Sequence, residues 1–95
     1  MGKNEQVRSE LEKVIRETVE KEGLPLPQYK IEVFPASEGT MDYLVEYIGK
    51  RGEPLGLGFR NIRSVVPGDF GDPKFKVRLV HNLALWLKAQ AARDL

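Results

Sequence analysis

Residues 43–59 read YLVEYIGKRGEPLGLGF, and the fold turns on how this stretch is divided. Its first part, taken from residue 42 as DYLVEYIG, is rich in aromatic and β-branched residues, which suit a half-buried strand. KRGEP follows as a hairpin-length turn, with Gly52 and Pro54 as punctuation. A further strand is predicted to begin near Leu55 and to run as far as Val66. Gly56 and Gly58 inside it point to a bulge or to close approach by another backbone.

Working back toward the N-terminus, QYKIEVF (28–34) alternates Tyr29, Ile31 and Val33 with Gln28, Lys30 and Glu32. That period of two is the mark of a strand with one buried face. PASEGTMD joins it to the next strand as a loop of small, polar and turn-forming residues. Earlier still, Val7, Leu11, Val14, Ile15, Thr18 and Val19 recur at three- and four-residue spacing, which predicts a helix over 5–22. Glu12/Arg16 and Glu17/Lys21 fall at i,i+4 on its other face. Asn4 is the expected N-cap. Gly23 is the expected left-handed C-terminal residue, and Pro25 and Pro27 forbid continuation.

Working forward, PGDFGDP (67–73) reads as a loop. Beyond it two periods compete. Phe75, Val77 and Leu79 alternate with Lys74, Lys76 and Arg78, as in a short fourth strand. Phe75, Leu79, Leu83 and Trp86 also share one helical face. From Val80 onward Leu83, Ala84, Leu87 and Ala91 favour a helix. The expected fold is therefore a single α+β domain over 1–95, in the order α-β-β-β-(β)-α. Its two helices pack on one face of an antiparallel sheet. Val14, Ile15, Val19, Ile31, Val33, Val45, Leu83 and Leu87 are the expected shared core.

A hydrophobic share of 41% with a charged share of 31% fits a folded chain rather than a disordered one. With no cysteine, disulfides, zinc thiolates and thiol nucleophiles are excluded. No apolar run approaches the roughly 20 residues of a membrane span. The polar N-terminal MGKNEQVRSELEK lacks the apolar stretch of a signal peptide. A cytoplasmic protein without a cofactor is expected.

The residues that could carry chemistry are few, and catalysis is not expected. His81 is the only histidine, and no triad or metal set assembles around it in the sequence. Ser9, Ser37 and Ser64 lack a nucleophile-elbow context. Asp69-Phe70-Gly71 spells a kinase tripeptide, but the other parts of a kinase are missing and a turn is expected. Gly52, Gly56 and Gly58 precede no helix start, so no phosphate cradle forms there. Trp86 reads as a core anchor.

Charge is more informative. Residues 1–47 carry six Lys/Arg and ten Asp/Glu, and residues 48–95 carry nine and four, so the halves stand at −4 and +5. Lys50, Arg51, Arg60, Arg63, Lys74, Lys76 and Arg78 fall within 29 residues, against Glu53, Asp69 and Asp72. Such a cluster marks either an anion-binding face or a solvated edge strand protected by its lysines. In a strand, Lys74, Lys76 and Arg78 would share one face.

These words together resemble the double-stranded-RNA-binding domain. GLPLPQYKI (23–31) is similar to the junction of first helix and first strand in that family, above all in bacterial double-strand-specific ribonucleases. YLVEYIGKRGEPLGLGF resembles the family's second and third strands, including the Gly-x-Gly at Gly56 and Gly58. The resemblance implies a non-catalytic module that binds duplex RNA by shape. It implies that Glu17 touches a minor groove. Lys74, Lys76 and Arg78, with Lys50 and Arg51, would then meet phosphates. The chain departs from the family in its first loop, where Glu38 and Asp42 replace the usual Gly-Pro and histidine. It departs again in the extra FRNIRSVVPGDFGDP before the last helix. Those departures suit the alternative, a protein-interaction module of the same fold.

Overall fold

A computed structural model describes residues 2–95. Helix α1 (Lys3–Glu22) buries the whole stripe of Val7, Leu11, Val14, Ile15, Thr18 and Val19. Thr18 is tolerated there because its hydroxyl donates to the Val14 carbonyl at 2.6 Å, so no polar group is orphaned. The helix starts before the expected cap. Gly2 is extended and its carbonyl accepts from the Gln6 N–H at 3.1 Å, which places Asn4 inside the first turn. At the other end Gly23 has φ 67°, and its N–H donates to the Glu20 carbonyl. Leu24 N–H reaches back to the Val19 carbonyl at 2.9 Å, completing a Schellman motif.

Strands β1 (Gln28–Pro35) and β2 (Met41–Ile48) pair antiparallel, with Ile31 opposite Val45. Along β2, Met41, Tyr43, Val45 and Tyr47 are buried, while Asp42, Leu44, Glu46 and Ile48 are half-buried on the other face. Strand β3 contains Phe59–Arg60 alone, paired to Val45 and Leu44. The sheet order is β1-β2-β3.

The long third strand predicted over 55–66 is thus broken. It touches β2 at Pro54, at 59–60 and at Val65, and leaves it between. The two glycines account for the first excursion. Gly56 has φ 66°, and a methyl group there would stand 2.1 Å from Gln90 Oε1. A methyl group on Gly58 would stand 2.3 Å from Leu44 Cδ1. Between them the Leu57 carbonyl accepts from the Trp86 indole N–H at 2.8 Å. The approach that the glycines permit is therefore to side chains of the last helix and of β2.

A short 3-10 helix (Pro67–Gly71) leads into helix α2 (Pro73–Arg93). Residues 74–79 are helical, which rules out the strand reading and the optional fourth strand. Leu79, Leu83, Ala84, Leu87 and Gln90 are its buried residues. Both helices cover one face of the sheet, as expected. Val14, Ile15, Val19, Ile31, Val45, Leu83 and Leu87 lie in one core, with Val33 packed against it. Burying each large aliphatic side chain contributes about 1.5–3 kcal/mol. Trp86 joins the core edge-on to Tyr47 and tilted against Phe59, with centroids 6.1 and 5.7 Å away.

The helices lie side by side. Lys76 pairs with Glu17 and Lys88 with Glu22, so residue numbers rise together and the two helices run in the same sense. The β1–β2 loop and the start of α2 accordingly sit at one end of the molecule, joined by mutual hydrogen bonds between Met41 and Val65.

Candidate functional site

The basic residues of the second half do not form one patch. The start of α2 decides how they divide. Asp72 caps the helix, its carboxylate accepting from the Lys74 N–H at 3.0 Å, and Pro73 fills the first helical position. With 3.6 residues per turn, Lys74, Arg78 and Asn82 then fall on one side, and Lys76 lies about 200° round from Lys74. A strand would have aligned Lys74, Lys76 and Arg78; the helix separates them.

Lys76 faces α1, where its ammonium lies 3.4 Å from Glu17 Oε2. Both side chains are about half exposed, so the pair contributes little to stability and is open to exchange with a ligand. Lys50 and Arg51 lie elsewhere. The Lys50 N–H donates to Asp94 Oδ1, beside the last turn of α2. At 1.5 Å per residue that end is roughly 30 Å from Lys74.

Arg60 and Arg63 take their place. They lie on the segment that runs from β3 to Val65, and Asp42 fixes that segment. Asp42 Oδ1 accepts from Asn61 Nδ2 at 2.8 Å and from Ser64 Oγ at 2.6 Å. Asn61 Oδ1 in turn accepts from the Tyr43 N–H at 2.8 Å. Hydrogen bonds from Ser64 and then Asn61 hold the Asp42 carboxyl below its ordinary pKa. Asp42 therefore faces this clamp, while Glu38 sits exposed in the β1–β2 turn at φ 44°.

The result is a groove of about 710 Å³ between the 59–65 segment and the first turns of α2. Arg60, Arg63, Lys74 and Arg78 line it, and Asp72 is the sole carboxylate in its lining. The four ion pairs among the described residues include none of these four cations. The floor is aromatic and aliphatic: Tyr43, Phe59, Val65, Phe75 and Leu79. Tyr43 is buried deeply enough to push its phenol up to about 12. Phe75 is locked edge-on against buried Phe70, at a centroid distance of 5.1 Å.

A second groove, of about 650 Å³, lies between the helices. Val77 and Leu85 are 69% and 57% exposed along it. Glu17, Lys21, Lys76 and His81 also line it, so its charge is mixed. No group of three or more His, Asp or Glu among the described residues could hold a metal ion. No helix of the described chain is long and apolar enough to cross a membrane.

The sequence brought Lys74 and Arg78 to notice. It did not single out Phe59, Phe75 or Asn82 as site residues, or show that Arg60 and Arg63 would join the pair. The Asp72-Pro73 step was the available signal for the helix start, since Asp favours the N-cap and Pro the first helical position. No sequence signal links Asp42 to Asn61 and Ser64 across about 20 residues.

No family model, curated protein or solved structure matches this chain.

Proposed function

We propose that the protein is a non-catalytic module that binds double-stranded RNA, with Arg60, Arg63, Lys74 and Arg78 as its phosphate contacts. The observation that carries this reading is the grouping of four cations, none in an ion pair, around one groove with a single carboxylate. Asp72 spends an oxygen of that carboxylate on the Lys74 N–H, so the field in the groove is positive. The cations project from two separate elements, a clamped loop and a helix. Such an arrangement can bridge phosphates on the two walls of the narrow major groove of A-form RNA. The exposed Glu17–Lys76 pair lies on the other side of α2, where it offers a carboxylate to 2′-hydroxyls and an ammonium to phosphate. The order α-β-β-β-α and the words shared with the double-stranded-RNA-binding domain support the same reading. Lys50 and Arg51 take no part in it.

The test is amide chemical-shift mapping during titration with a duplex longer than about 16 base pairs, the span expected of this shape. Shifts are expected at 60–63, at 72–82 and around Glu17, and not at 49–53. Shifts confined to 49–53 would refute the assignment. A second reading, a protein-interaction module, is favoured by exposed Val77 and Leu85 in the inter-helix groove. A chain whose spectrum ignores RNA at low salt would support that reading instead.

A further inference from the structure

We propose that the groove between the 59–65 segment and α2 takes an unpaired nucleotide at an RNA strand end, base on the aromatic floor and phosphate on the cations. This rests on the RNA reading above and narrows it to a feature of the RNA. Phosphate contact alone needs only cations on an open surface. This groove has more. Its volume of about 710 Å³ lies in the range of small-ligand pockets. Its floor includes Phe59 and Phe75, both half-buried.

A base inside a duplex is already stacked and cannot reach such a floor. An unpaired base can, because every base has a π-face that stacks on an aromatic ring. Phe75 is held by Phe70, so ordering it costs little on binding. Ile62, 93% exposed, stands on the rim of the groove between Arg60 and Arg63. It adds an apolar contact for a sugar or base edge. Exposed Asn82 lines the same groove one helical turn beyond Arg78, and its amide offers both a donor and an acceptor to a base edge. An acidic peptide would satisfy the cations, but its charged side chains carry no ring to stack on Phe59 and Phe75. Charge and lining together therefore favour a nucleotide.

The experiment compares three fluorescent probes with the full chain: a blunt duplex, the same duplex with a short single-stranded overhang, and the overhang strand alone. The overhang is expected to tighten binding about tenfold over the blunt duplex, the scale of one base stacked on an aromatic residue. Phe75→Leu keeps an apolar side chain against Phe70 but removes the ring. It should erase the gain while changing blunt-duplex affinity far less. Asn82→Ala, an exposed change with no folding cost, should reduce the gain several-fold. Equal affinity for blunt and overhang probes, unmoved by either substitution, would overturn this inference and leave the duplex reading standing. Tight binding of the single strand with none of the blunt duplex would overturn the duplex reading and leave the groove assignment standing. Binding of no probe would overturn both.

Discussion

Gly56 shows how one side chain, or its absence, directs the chain past the last helix. Its φ of 66° is costly for any residue with a Cβ, and the space a methyl would need is filled by Gln90 Oε1. Gly56→Ala should therefore destabilise the protein by about 2 kcal/mol. Gly71→Ala, at a site where nothing lies within 4 Å, should change stability by only a few tenths. Thermal or urea unfolding of the two variants checks the contrast. Tyr43 gives a pH signature at the same scale. Burial raises its phenol to about 12, above the value near 10 in an unfolded chain. The folded state thus holds the proton more tightly. The associated stability is fully present below about pH 10 and is lost as pH rises through about 12. Tyr43→Phe should unfold less steeply than the native chain across that window, in urea titrations at a series of pH values. Tyr47, raised by burial and then by the Asp94 charge, leaves a residual slope in both.

At the scale of elements, α1, β1 and β2 were legible because their periods are unambiguous. The six-residue stripe of α1 and the alternation of Tyr29, Ile31 and Val33 each fit one geometry only. The stretch 55–79 was not legible in the same way. Strand β3 is cut short by contacts that sequence does not display, Gly56 against Gln90 and Gly58 against Leu44. Residues 74–79 satisfy both periods, and the choice falls to the cap. Asp72→Ala should cost about 1 kcal/mol through loss of the N-cap, read by unfolding. Asp72→Asn keeps a capping oxygen and should recover most of that. Both remove the carboxylate that lines the groove, so both should bind RNA more tightly than the native chain. A stability split without an affinity split is the expected signature. The outer edge of β1 is also managed: the Arg8 guanidinium donates to the Ile31 carbonyl at 2.6 Å, blunting an otherwise open strand.

For the whole molecule, the sequence located the basic half but not its geography. Lys74 and Arg78, which would share a strand face with Lys76, instead lie one turn apart on a helix. Lys76, Lys50 and Arg51 were grouped with them by proximity in the chain, and folding sends Lys76 toward α1 and the other two to the far end of α2. Arg60 and Arg63 enter because a carboxylate on β2 ties down the loop that bears them, a long-range contact with no local pattern. The proposed function requires these four cations to hold RNA phosphates. It is tested most directly by measuring the affinity for a fluorescent duplex against salt concentration. The native chain should lose affinity steeply as salt rises, through release of condensed counterions. Replacing Arg60, Arg63, Lys74 and Arg78 by alanine should abolish most binding at low salt, and each single replacement should flatten the log–log slope by about one unit. The Lys50→Ala/Arg51→Ala double variant should match the native chain in both affinity and slope. A four-residue variant that binds as tightly and as salt-dependently as the native chain would show that these cations do not hold the phosphates.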